Sequence, residues 1–391
     1  MLHTKGSLEV DVLKSDREFA ALEEEWEELL QQAPLATPFQ SWAWLYSWWE
    51  YFGKDYELEL VVVRDRGGLL VGILPFMLDR RWRFARLLFI GTGLTDYLDI
   101  LVREGWEAQV AKAGLEVLQQ SRRWRVADLQ QLRPEAGTWS ILGAWLGPQT
   151  RIWQAGCPVI ETKAWDELLT SLSKKRRKMV RRTIRQAEAE GIHCKQADVS
   201  DAERAARRLV ALHRELWWER DIALAHLARS FESLVATAAP RMMSRGLAGI
   251  SEFWHGEEVI ISNFWVSGQT FLGVYILGVS REALQRYQWS SLCIWDAVNI
   301  ARSKNSSHVD LLRGEEPYKL RWTSKIVPTH RLVLGRHRIA WLPYAGYHTL
   351  YSGARRYANS ESTPQWVKNA ADTYRALQRR ITRHLNNGRK P

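Results

Sequence analysis

The 391-residue sequence predicts an α/β (α+β) protein of two tandem units, each a mostly antiparallel mixed sheet flanked by helices. Three observations carry this. The length suits two domains better than one, and 46% hydrophobic with 25% charged residues is a globular composition. Two apolar hairpins, VVVRDRGGLLVGILPF and ISEFWHGEEVIISNFW, each arrive after two helical stretches. Each is followed by a helix and a short strand, so the order of elements repeats while the residues hardly do.

LEVDVLK (Leu8–Lys14) reads as a strand, and SDREFAALEEEWEELLQQ follows with Ser15 as a helix cap and Phe19, Leu22, Trp26 and Leu29/Leu30 at helical spacing. FQSWAWLYSWWEYFG is a second helix, with Gly53 where a helix C-terminus favours glycine. YELELVVVRD and LLVGILPFML form a hairpin about Arg66-Gly67-Gly68, where glycine supplies the positive φ of a tight turn. RLLFIG and YLDILV read as strands, Trp106–Gln120 as a helix and RVADLQ as a strand. In the second half DAERAARRLVALHRELWWER and LARSFESLVATAAPRMMS are helices. They precede a three-strand meander, LAGISEFW, VIISNFWV and TFLGVYILGV, with a glycine at each turn. Helix SLCIWDAVNIARSK and strand HVDLL close the unit.

No apolar run reaches the roughly 20 residues of a membrane helix, and MLHTKGSLEVDV lacks a secretory core, so a cytoplasmic location is expected. Cys157, Cys194 and Cys293 are scattered, and the histidines share no ligand spacing, which argues against disulfides and metal chemistry. There is no GxSxG nucleophile elbow. The net charge of +11 favours an anionic partner: nucleic acid, a phosphate-bearing cofactor or a membrane surface. Twenty-one tryptophans are read mainly as space-filling groups.

The charge is concentrated. SKKRRKMVRRTIRQ (Ser173–Gln186) holds eight Lys/Arg and no acid, with only Met179, Val180 and Ile184 to bury, so it does not read as an ordinary amphipathic helix. It would border a phosphate-binding cleft, bind tRNA, or act as a solvated strut. A further helix over Pro364–Leu385 places Trp366, Ala370, Tyr374, Leu377 and Ile381 on one face and arginines on the other, suited to docking on the domain or to an anionic membrane. The division expected is one unit over residues 1–155, a second over 156–335 that includes the basic helix 173–190, and a basic helical extension over 336–391.

One stretch combines a strand with clustered polar groups: LLRGEEPYKLRWTS (Leu311–Ser324). It is either a solvated turn whose charges pair with each other or the mouth of a site. Asp96 and Asp99 of TDYLD offer groups for an acceptor hydroxyl, or are turn residues. Tyr275 reads as core.

Taken together, FQSWAWLYSWWEYFG, the hairpin ending in LVGILP, TDYLDILV, SKKRRKMVRRTIRQAEAEG and GEEPYK resemble the CelD/BcsL family of GNAT-type acetyltransferases over roughly residues 8–335. That family is linked to cellulose and exopolysaccharide production, and its double-GNAT plan is shared by the Fem-type aminoacyl transferases. The resemblance implies two GNAT-like domains and acyl transfer from acetyl-CoA or another acyl-CoA, without a metal, to a small-molecule or saccharide acceptor. A polysaccharide synthase complex or an anionic membrane surface would be a partner, and tRNA is the Fem-type alternative. A third possibility is a non-catalytic partner of a synthase that keeps the fold and has lost CoA.

Under that resemblance the pyrophosphate of CoA rests at the start of the helix after the meander. RYQWSS places Arg286 at the spacing of the family signature but puts Trp289 and Ser291 where small residues are usual, with Ser290 and Ser291 able to cap the helix. Acyl transfer needs a base, for which Glu315 or Glu316 is suited if burial raises its pKa, and an acid for the leaving thiolate, the task tyrosine performs in GNAT enzymes, here Tyr318. Lys319 and Arg321 supply cations for a substrate phosphate or carboxylate.

Overall fold

The computed structural model describes residues 8–81, 84–142, 145–217 and 229–358. The first half runs β1 (Glu9–Leu13), α1 (Asp16–Ala21), α2 (Glu23–Gln31), α3 (Trp42–Phe52), β2 (Glu57–Arg64), β3 (Leu70–Asp79), β4 (Arg86–Phe89), β5 (Leu101–Val102), α4 (Glu107–Gln120), β6 (Val126–Leu132) and α5 (Thr138–Leu142). A long strand, β7 (Gln149–Glu161), leads into α6 (Trp165–Thr170), α7 (Lys174–Ala189), β8 (His193–Gln196), α8 (Ala202–Trp217) and α9 (Arg229–Met243). The meander β9 (Ala248–His255), β10 (Glu258–Ser267) and β11 (Phe271–Val279) follows. Then come α10 (Arg281–Arg286), α11 (Trp289–Ser303), β12 (His308–Asp310), α12 (Pro317–Leu320), β13 (Ile326–Gly335) and α13 (Arg338–Ala358).

The fold is mixed α/β, with a large, mostly antiparallel sheet flanked by helices. Its strands follow one hydrogen-bonded path, β1-β2-β3-β4-β6-β13-β7-β12-β11-β10-β9-β8, with β5 on β3. Two neighbours alone are parallel among the described strands: β4 with β6, and β11 with β12. Each parallel pair sits at the same place in its half, after a meander and across a helix, α4 or α11.

Several expected elements are present for the expected reasons. Ser15 caps α1 in a reciprocal capping box with Glu18. Gly68, at φ +82, turns the first hairpin. The tryptophans of α2 and α3 fill the core with their N–H groups satisfied: Trp26 donates to the Gln40 carbonyl at 2.7 Å and Trp44 to Thr95 Oγ1 at 2.9 Å. That core crosses between the halves, since Phe39 and Trp44 meet the Tyr275 ring of β11 edge-on, each at 5.2 Å.

Other expectations are corrected. YLDILV is strand only at Leu101–Val102; Tyr97, at φ 53, and its neighbours form a loop. Gly53 closes α3 with an ordinary φ of −63, and glycine is required there because a Cβ would lie 2.5 Å from the Trp49 ring. Of the two meander turns, only that at Gly256 uses a positive φ; at Gly268 a Cβ would meet the Phe271 ring at 2.7 Å. The basic helix α7 does pack by one face, because Thr183 and Ala187 join Val180 and Ile184 in a stripe of helical spacing that counting only large apolar residues overlooks. The helix over Pro364–Leu385 lies outside the described residues.

Candidate active site

The register of the meander opens a gap in the second half. Phe264 pairs with Ile276 and Trp265 with Val274, leaving Tyr275 as the extra residue of a bulge in β11. Two residues earlier, β11 loses its other neighbour: the parallel pairing with β12 ends at Gly273↔Asp310. Beyond that pair β12 gives way to the loop that was singled out, Leu311–Ser324.

Asp310 stands at the point of parting, 4% exposed. Its Oδ2 accepts from the Tyr97 hydroxyl at 2.6 Å and its Oδ1 from the Leu312 N–H at 2.7 Å. Burial pushes its pKa up to about 6 against the pull of those two bonds. Burial, and then Asp310, hold the Tyr97 phenol protonated. Tyr97 belongs to the first half, so the two halves meet on this carboxylate. Asp96, also buried, reaches the same region, pairing with Arg313 Nε at 3.1 Å.

The loop is a built wall rather than a solvated turn. Leu311 N–H donates to the Pro158 carbonyl and Gly314 N–H to the Gly156 carbonyl, which stitches it to β7. Gly314 takes φ +116, and Leu312 φ 55, to make the bend. Lys319, 6% exposed, is held between Glu316 at 2.9 Å and the Arg313 carbonyl at 3.0 Å. Glu315 is exposed, with its carboxylate lying over Gly156: a Cβ there would be 2.4 Å from Oε1. Among the described residues it has no hydrogen-bond or ion-pair partner. Tyr318 packs on Trp289 of α11 at 4.9 Å, and burial raises its pKa, followed by the nearby Glu316 carboxylate. The Arg321 carbonyl accepts from Arg176 of α7, which brings the basic helix to the wall.

Other sequence candidates fall elsewhere. Asp99 is fully engaged by its own chain, accepting from Ile100 N, Gly137 N, Thr138 N and Thr138 Oγ1 at 2.6–2.9 Å, so its place is that of a loop brace. Arg286 is on the surface, paired with Glu282 at 2.6 Å and Glu190 at 2.9 Å. Ser290 and Ser291 do not cap α11: they lie inside its first turn, the cap position is Gln288, and no side chain bonds to that end. Ser291 is buried, and its N–H is taken by the Gln288 carbonyl at 2.7 Å. Among the described residues the amides of Trp289 and Ser290 have no acceptor outside the helix.

Sequence reasoning missed Asp310, Tyr97, Arg313 and Cys157, whose thiol meets Tyr97 from β7. The available signal was an aspartate within an otherwise apolar strand, VDLL, since a charge in a buried strand requires a partner.

Among the described residues no group of His, Cys, Asp and Glu is placed to hold a metal ion, and no helix is long and apolar enough to cross a membrane.

Residues 174–320 match the sequence model of the acetyltransferase (GNAT) domain, from the start of α7 to the end of the Glu315–Lys319 wall. No curated protein is similar in sequence. Solved structures share the fold at low identity. FemX is 10% identical, with a TM-score of 0.55 over 82% of this chain and 96% of that one. A conserved protein of unknown function from Bacteroides thetaiotaomicron is 9% identical, with a TM-score of 0.53 over 83% and 100%. L-PGS from Bacillus licheniformis is 11% identical, with a TM-score of 0.51 over 84% and 95%. On the domain match, the second half of the chain carries a GNAT-type acyltransferase domain.

Proposed function

We propose that the chain transfers an acyl group from acetyl-CoA or another acyl thioester to an amine or hydroxyl, at the wall formed by residues 310–321. The observation that supports this is the parting of β11 and β12 at Asp310, beside a rigid loop that presents one unpaired carboxylate, Glu315. Acyl-CoA supplies an activated carbonyl carbon. Glu315 takes the proton of the attacking acceptor, and Tyr318, kept protonated by burial, supplies one to the departing sulfur. Glu316 serves to hold Lys319, leaving that ammonium for a substrate anion only if the pair opens. The seat for a pyrophosphate is the uncapped first turn of α11, through the Trp289 and Ser290 amides. Arg286 does not fit that role while Glu282 and Glu190 hold it. A sugar- or amine-bearing acceptor tied to exopolysaccharide rests on the sequence resemblance alone, and a division into units 1–155, 156–335 and 336–391 on the repeated order of elements in the sequence.

A second donor, aminoacyl-tRNA, is favoured by one feature. Lys174, Lys175, Lys178 and Arg182 are exposed along α7 with no carboxylate in ion-pair range among the described residues. Such a row suits a phosphate backbone. Thermal-shift titrations separate the readings: stabilisation by acetyl-CoA supports the first, and no response at millimolar acetyl-CoA with a salt-sensitive response to charged tRNA replaces it with the second. For the site, thiol release from acetyl-CoA in the presence of a pool of amine and sugar acceptors should fall by about 100-fold in Glu315→Gln. Tyr318→Phe should slow it as well, and wild-type rates in both variants would remove the wall from the chemistry.

A further inference from the structure

The last described helix, α13, is apolar on two opposite faces. One face docks on the sheet through Ala340, Tyr344 and Ala345, against Val126, Ile152 and Val333. The other carries Ile339, Leu342, Tyr347, Leu350 and Tyr357, which are 87%, 63%, 52%, 76% and 54% exposed. At about 100° per residue these fall on the side away from the sheet, in a stripe roughly 30 Å long, while Tyr351 falls beside Tyr344 at the edge of the docked face. Leu146, 93% exposed, extends the same end of the molecule: its loop is tied to the start of α13 by the bond from Gly335 N–H to the Pro148 carbonyl. A helix apolar nearly all round is ordinarily buried.

The margins of this stripe are cationic. Arg338 and Arg356 fall beside Leu342 at its edge, and residues 338–358 contain no acid. At the N-terminal end Arg336 is crowded by Arg125 and Arg122; among the described residues its hydrogen bonds go to the Arg125, Leu118 and Gln119 carbonyls, and its guanidinium lies over the Trp124 ring at 5.0 Å. Among the described residues, none of Arg122, Arg125, Arg336 and Arg338 has a carboxylate within ion-pair distance.

We propose that this face is a peripheral membrane anchor: α13 lies on an anionic bilayer, its stripe in the headgroup boundary and the arginines on lipid phosphates. Charge selects this occupant. Residues 359–391 hold seven Lys/Arg and two acids, so folding them onto α13 would set cations against cations. A second copy of the chain would do the same across a two-fold axis. An anionic surface neutralises the arginines and covers the stripe at once.

The full chain is floated with phosphatidylcholine vesicles, with and without phosphatidylglycerol. It should rise with the anionic vesicles, stay behind with the neutral ones and dissociate as salt is raised. Ile339→Asp with Leu350→Asp should lower the partition coefficient at least tenfold, and Arg122→Glu with Arg125→Glu should lower it at low salt. These positions are exposed, and an unchanged thermal midpoint checks that the fold survives. Leu377→Asp, outside the stripe, should change nothing. The proposal is overturned by absence of binding to anionic vesicles, by loss of binding in Leu377→Asp alone, or by a dimer in light scattering that Ile339→Asp with Leu350→Asp splits.

Discussion

Two aspartates occupy the same position in the two halves and live in different company. In the first half the parallel pair β4/β6 has Leu88↔Asp128 as its third rung; in the second, β11/β12 has Gly273↔Asp310. Each aspartate accepts from a tyrosine hydroxyl at 2.6 Å, Tyr344 for Asp128 and Tyr97 for Asp310. Each tyrosine comes from outside the parallel pair, one from α13 and one from the first-half loop. The difference is the counter-charge. Asp128 has Arg331 at 3.2 Å and the Gln130 amide at 3.0 Å, and its tyrosine is itself bonded by Arg86. Asp310 has no cation in ion-pair range among the described residues, and so burial lifts its pKa. The shared strand position was filled in one half with a closed ion network and left in the other with a group that gains and loses a proton near neutrality.

The largest expected effect comes from breaking the closed network. Asp128→Leu removes the carboxylate that faces the Arg331 guanidinium and accepts from the Tyr344 hydroxyl, and should cost about 3–5 kcal/mol of stability in urea denaturation. A loss no greater than that of a surface substitution would show that the network is decorative and the contrast empty.

Next is Asp310→Asn. Its folded pKa of about 6 stands above the ordinary 3.8, so the folded chain binds the proton more tightly than the unfolded one. The stability this supplies is full below about pH 4 and lost as pH rises through about 6, to the extent of about 2–3 kcal/mol. The variant should flatten that decline across the same window. Asp296, buried on α11 and also pushed up to about 6, accounts for a slope that remains. An unaltered pH profile would mean that Asp310 is ionised throughout, as a paired carboxylate would be.

Tyr97→Phe sharpens the comparison further. It removes the hydroxyl that favours the charged form, so it should cost about 1.5 kcal/mol at neutral pH and move the pH-dependent decline upward. Tyr344→Phe should produce no such displacement, because Arg331 still faces Asp128. Smallest of all, Glu315→Gln should leave urea midpoints at the wild-type value, since this carboxylate is exposed and carries no partner whose loss would register.

Much of the plan was legible in the sequence because local rules act alone there. Ser15 and Glu18 announce a capped helix, Gly67-Gly68 a hairpin, and the apolar runs of β3 and β11 are long enough to be strands. The central strands β7 and β13 were not anticipated. Gly156, Pro158 and Pro328 interrupt their patterns, and what makes them strands is pairing with each other and with β6 and β12, which no local window contains. The stretch Glu315–Lys319 stands out by its residue types, but Asp310, which precedes it, does not. Asp310 acquires meaning only through Tyr97, 213 positions earlier in the chain. Arg286 is the reverse case: its spacing suits a phosphate, and in the fold Glu190, nearly a hundred residues before it, pairs with the guanidinium.

The strand order also dictates a timetable. β13 lies between β6 and β7, pairing with both, yet among the described strands it is the last to be made. During synthesis β6 and β7 therefore emerge with a vacant slot between them, and its two open edges stay available to foreign strands until residues 326–335 leave the ribosome. Slow translation through the second half lengthens that interval, so this chain's yield in a cell should depend on holdases that guard strand edges as much as on the stability of the finished fold.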